Sequence, residues 1–177
     1  MNGSAWYDEL RDRYRPEQVK LLLVAESPPD PRSRERRFFY SPSLKYDNLY
    51  RAVAIVLYGD EDGFDLRAKP EYLGRMRDDG VWLIDAVDTP VNGLPRVERL
   101  RKVKEAAPQL AARCQKLDPS VGVLVCHSVV YRAVAETLRS NQVRLLHDRP
   151  LPFPLGNTRR QFVDGARGAL SGAGWWD

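Results

Sequence analysis

The chain has 177 residues, of which 43% are hydrophobic and 29% charged, with a formal net charge of +4. That length suits one domain, 1–177, with a proper core, and no apolar run is long enough to span a bilayer. Residues 1–15 lack the apolar centre of a secretory leader, so the cytoplasm is the expected location and no membrane partner is expected. Two cysteines, Cys114 and Cys126, and two histidines, His127 and His147, are too few for a disulfide framework, an iron–sulfur cluster or a transition-metal site. Neither a metal nor a cofactor is expected.

In chain order, mixed charge and two aromatics predict an opening helix from about Ala5 to Tyr14. Lys20–Ala25 reads as a short buried strand, and it ends on Glu26-Ser27-Pro28-Pro29. The prolines remove backbone donors and hold the following loop extended. That long loop contains a basic run, Arg32-Ser33-Arg34-Glu35-Arg36-Arg37, then Phe38-Phe39-Tyr40. An amphipathic helix follows from about Ser43 to Tyr58, with Leu49, Val53 and Leu57 on one face. Pro70 suits the first turn of another helix, running to about Arg77. Val81–Asp85 is a second apolar strand, and it too ends on a carboxylate.

Val97–Leu117 reads as helical, broken or kinked before Pro108. Val121–Cys126 is a third strand, Ser128 is placed to cap the next helix, and Val143–Leu146 is a fourth strand. Thr158 and Gln161 have the spacing of a capping box for a last helix. Four apolar strands separated by helices predict a central four-stranded parallel sheet in a three-layer α/β sandwich. In such sheets ligands bind beyond the carboxyl ends of the strands. Glu26 and Asp85 are therefore placed on the working rim, near the long loops 26–42 and 147–157. A strand-ending carboxylate that merely takes loop N–H groups is the plain alternative for each.

Charge is uneven along the chain. A second basic set, Arg139, Arg144, Arg149, Arg159, Arg160 and Arg167, lies beyond an acidic middle that includes Asp60, Glu61, Asp78 and Asp79. Arginine's planar fork suits phosphate, although a general preference for arginine on solvated faces explains part of the pattern. Cys126 and His127 are adjacent on a strand and point to opposite faces, so they make a poor catalytic dyad. Cys126 reads as core, and His127 as a residue near the site with a weak signal. His147 reads as an exposed loop histidine, and Trp175-Trp176 as packing at a sheet edge. No nucleophile elbow, phosphate loop or dinucleotide fingerprint follows any strand.

Four stretches in order resemble the uracil-DNA glycosylase superfamily over about residues 20–170. Ala25-Glu26-Ser27-Pro28-Pro29 is similar to the motif that closes that family's first strand. Phe38-Phe39 stands where a base-stacking phenylalanine follows, and Leu83-Ile84-Asp85-Ala86-Val87-Asp88-Thr89 resembles the later strand end. Leu151-Pro152-Phe153-Pro154-Leu155-Gly156 occupies the place of the C-terminal motif loop. The resemblance implies a monomer that extrudes a damaged or deaminated base from DNA and hydrolyses its N-glycosidic bond. Glu26 would orient water, and Phe39, Phe38, Asp85 and Leu151 would surround the base. Arg37, Pro152, Phe153, Arg159 and Arg160 would hold DNA. Three departures stand out: Leu151 replaces the family's histidine, Asp85 its asparagine and Ser27 the aspartate found in some members. They leave open a weak or inactive module that binds nucleic acid or a base, or a nucleotide hydrolase using the same crevice.

Overall fold

A computed structural model describes residues 6–32, 38–45 and 47–177. Helix α1 (Trp6–Arg13) leads into strand β1 (Leu21–Ala25), followed by helices α2 (Asn48–Tyr58) and α3 (Lys69–Asp78). Strand β2 (Val81–Asp85), helix α4 (Arg96–Gln115), strand β3 (Gly122–Val125) and helices α5 (Ser128–Ser140) and α6 (Arg159–Gly172) complete the order. The strands form a parallel sheet in the order β2-β1-β3, with Leu23 of the central strand level with Leu83 and Leu124.

Alternation along the strands sorts the core into two halves. Leu21, Leu23, Leu83 and Leu124 pack with Leu49, Leu73 and Phe162, so α2, α3 and α6 cover one face. Leu22, Val24, Ile84 and Val125 pack with Leu110 and Val134, so α4 and α5 cover the other. Burial from both sides explains why the central strand reads Leu-Leu-Leu-Val without a polar residue. Gly80 makes the turn from α3 into β2 at a φ of 86°, and a Cβ there would lie 2.8 Å from the carbonyl of Gln18. Only glycine meets both demands.

The fourth strand is absent from the sheet of the described residues. Val143–Leu146 makes a single parallel bridge, Val123 to Leu145. Two local features stop it there. Gln142 is left-handed at a φ of 59°, and the amide of Leu145 turns back onto the carbonyl of Val143 at 2.8 Å. The exposed edge of β3 is completed by a side chain instead: the amide of Val125 donates to His147 Nε2 at 3.0 Å. His147 is thus buried, not an exposed loop residue. Its ring lies against Tyr131, and burial pushes its pKa below the ordinary value.

Three other details differ from the sequence pattern. Helix α4 runs through Pro108, which lies on the solvent face, where losing one backbone hydrogen bond does not bury an unbonded carbonyl. Helix α5 is capped by His127 and not by Ser128. Thr158 makes no side-chain cap to α6; its hydroxyl donates to the carbonyl of Phe153 at 2.7 Å and closes the preceding turn. Among the described residues no helix is long and apolar enough to cross a membrane.

Candidate functional site

The carboxyl ends of β1, β2 and β3 open into a cavity of about 370 Å³. This lies toward the small end of the range for small-molecule sites, about 300–1,000 Å³. Glu26, Phe39, Asp85, Arg99, His127 and Phe153 all line it. The sheet ladder continues one step past the strands to build this rim. The amide of Ala86 donates to the carbonyl of Ala25 at 2.9 Å, and that of Val87 to Glu26 at 3.0 Å. Beyond them, the Ser27 hydroxyl accepts from the amide of Val91, which ties the two rim loops together.

Glu26 is held from α4. Arg99 Nη2 donates to its Oε2 at 2.5 Å, and the Glu26 side chain is only 10% exposed. Its second oxygen, Oε1, is buried without a hydrogen-bond partner among the described residues. A buried carboxylate oxygen left unbonded is costly and rare in native proteins. Such an oxygen is available to accept a proton or to orient a donor.

Asp85 lies across the rim, 4% exposed, with Oδ2 held by Arg11 of α1 at 2.6 Å. Burial pushes its pKa up to about 6, against the opposing pull of Arg11 and Arg113. At neutral pH it is a carboxylate, an acceptor only; below about 6 it gains a donor. Arg113 also binds the backbone carbonyls of Asp85 and Ala86 at 2.8 and 3.1 Å, fixing the end of β2.

The aromatic wall is set by its neighbour Tyr40. The Tyr40 hydroxyl accepts from the amide of Leu83 at 2.7 Å and donates to its carbonyl at 3.2 Å, completing the free edge of β2. Phe39 packs edge-on against Tyr40, with ring centroids 5.0 Å apart. Phe38 lies under the guanidinium of Arg11 at 5.6 Å. Lys69, fully buried, fastens the segment from below. Its ammonium pairs with Asp47 and donates to the carbonyls of Phe38 and Ser43. Burial pushes Lys69 down and Asp47 up, each toward its neutral form.

The structure thus brings together Glu26, Phe38, Phe39, Asp85 and Phe153. Leu151 and Pro152 are not part of the lining. Leu151 packs against α6, where a Cβ on Gly165 would come within 2.6 Å of its side chain. Arg159 points back to Asn48, a lining residue, at 3.3 Å. Arg160 is exposed beside Asp164. Arg37 lies outside the described residues.

Two cavity residues carried little or no sequence signal. Arg99 sits in an exposed charged helix and reads as surface. His127 was legible only as a histidine at a strand end. Its ring tilts against Phe153, with centroids 5.3 Å apart. Cys126 forms part of the floor, and complete burial pushes its thiol up to about 12, which makes it inert packing. Among the described residues no group of three or more histidine, cysteine or acidic side chains is arranged to hold a metal. Comparisons of the chain with protein families, with curated proteins and with solved structures found no match.

Proposed function

We propose that this chain is a divergent DNA base-excision enzyme, a glycosylase similar to the uracil-DNA glycosylase superfamily. The observation that carries it is the convergence of Glu26, Phe39 and Asp85, far apart in sequence, on one cavity at the strands' carboxyl ends. Cleaving an N-glycosidic bond places positive charge on the sugar and negative charge on the base. Glu26, desolvated and with Oε1 free, supplies the negative charge that steadies the sugar cation and the acceptor that orients water. Phe39 provides an apolar face for a base taken out of the stack. Asp85, ionised at neutral pH, suits a base edge bearing N–H groups, such as an exocyclic amine.

One observation favours a second reading, a base-binding module without catalysis: Arg99 already neutralises Oε2 of Glu26. The two separate in one experiment. Purified protein is incubated with oligonucleotides carrying uracil, hypoxanthine, xanthine or mismatched normal bases, and abasic sites and DNA binding are both scored. A glycosylase leaves abasic sites with at least one substrate. Binding without abasic sites favours the module.

A further inference from the structure

A departing base needs a hydrogen-bond donor where its negative charge gathers, and Leu151 supplies none: it is an alkyl side chain packed on α6. The donor lies on a different element. His127 follows β3 in an extended conformation, φ −149° and ψ 127°, and is the N-cap of α5. Its Nδ1 accepts from the backbone amide of Val129 at 3.1 Å. An N–H aimed at Nδ1 requires a bare lone pair there, so the neutral ring carries its proton on Nε2. Nε2 has no hydrogen-bond partner among the described residues. The residue lines the cavity together with Glu26 and Phe39, and its ring is braced by Phe153.

We propose that the Nε2–H of His127 donates to the acceptor atom of the base that becomes negative as the glycosidic bond breaks; this rests on the glycosylase reading. The C1′–N bond breaks with its electron pair passing to the base. A water oxygen bonds to C1′ and gives its proton to Glu26, which releases it to solvent. The base anion, held by His127, takes a proton from solvent, and His127 keeps its own throughout. Burial and the nearby Arg99 push the imidazole's pKa below its ordinary value, while Glu26 pulls the other way. The ring is therefore a neutral donor at physiological pH.

Two variants separate this role from simple helix capping. Serine and asparagine are comparable N-caps, but only asparagine keeps an amide donor of some reach beside the capping oxygen. His127→Ser is expected to lose about 10²–10³-fold in single-turnover excision, the usual consequence of removing one such donor. His127→Asn is expected to recover much of that rate at similar thermal stability. The loss in His127→Ser should be larger for uracil than for 5-fluorouracil, whose anion needs less help. Equal rates in all three proteins, or equal loss in Asn and Ser variants, would overturn the donor role while leaving the glycosylase reading intact.

A second measurement does not depend on turnover. The His127 Nε2–H is followed by proton–nitrogen NMR during titration with free uracil, cytosine, hypoxanthine and xanthine. A shifted resonance, with weaker binding by His127→Ser than by His127→Asn, supports the donor even if no DNA is cleaved. A proton found on Nδ1, or base binding that leaves the resonance unmoved, overturns it.

Discussion

The two ends of the sheet make an instructive contrast. At the amino ends of the strands lies a groove of about 1,060 Å³, larger than the cavity of about 370 Å³ at the carboxyl ends. Charged side chains at its rim are paired with each other: Arg75 with Glu61, and Arg167 with Asp60. Such exposed pairs are worth about 0–1 kcal/mol and leave little bonding capacity unused. At the carboxyl end Glu26 and Asp85 are withdrawn from water, and some capacity is unspent: Glu26 Oε1 and His127 Nε2–H have no partner among the described residues. Size is not what sets the smaller cavity apart. A buried carboxylate with an unbonded oxygen, that of Glu26, lines it, and the larger groove has no counterpart among the described residues.

The contrast predicts unequal consequences for similar substitutions. Lys69→Met removes one partner of a buried pair and strands Asp47 without its cation; about 3–5 kcal/mol of stability should be lost in denaturant titration. Arg75→Ala, at the amino end, should cost under about 1 kcal/mol. Equal losses would show that the buried pair does not fasten the Phe38–Asp47 segment. Leu151→His forces an imidazole into an apolar contact with α6 and should lower stability by about 1–3 kcal/mol without speeding excision. A faster enzyme would place residue 151 in the cavity after all.

Asp85 gives a pH signature. Its pKa is raised from 3.8 to about 6 on folding, so the folded state holds the proton more tightly than the unfolded chain. That contribution, at most about 3 kcal/mol, is fully present below the unfolded value and is lost as pH rises through about 6. Asp85→Asn should flatten the melting temperature across this window and move base preference toward uracil, whose edge an amide matches. An unchanged pH profile in Asp85→Asn would assign the dependence to another group. The smallest effect belongs to the DNA backbone. Arg160→Ala, at an exposed residue paired only loosely with Asp164, should weaken DNA binding regardless of sequence and flatten its salt dependence. A change confined to one sequence would contradict a phosphate contact.

What was legible in the sequence follows from the same physics. Leu21–Ala25 and Val81–Asp85 announce themselves because strands buried on both faces leave unbroken apolar runs, and their terminal carboxylates mark the rim. Val143–Leu146 looks the same on paper. What prevents a strand there is backbone geometry at Gln142 and Leu145, to which residue type is nearly silent. Lys69 reads as surface because lysine usually is; its burial depends on Asp47 and two carbonyls distant in the chain. Arg11 and Asp85 are 74 residues apart, so no local pattern announces their pair. His127 was hidden by its neighbour: serine is the commoner cap, and the imidazole took the role.

The central claim is that the carboxyl-end cavity, through Glu26, hydrolyses a glycosidic bond. The direct measurement compares abasic-site formation by the wild type, Glu26→Gln and Glu61→Gln on the lesion-bearing oligonucleotides, with DNA binding recorded in parallel. Glutamine keeps the shape of glutamate and loses its charge. Glu26→Gln should fall by about 10²–10⁴-fold with binding nearly intact, whereas Glu61→Gln, at the other end of the sheet, should match the wild type. Abasic sites formed equally by all three proteins, or by none, would contradict the claim.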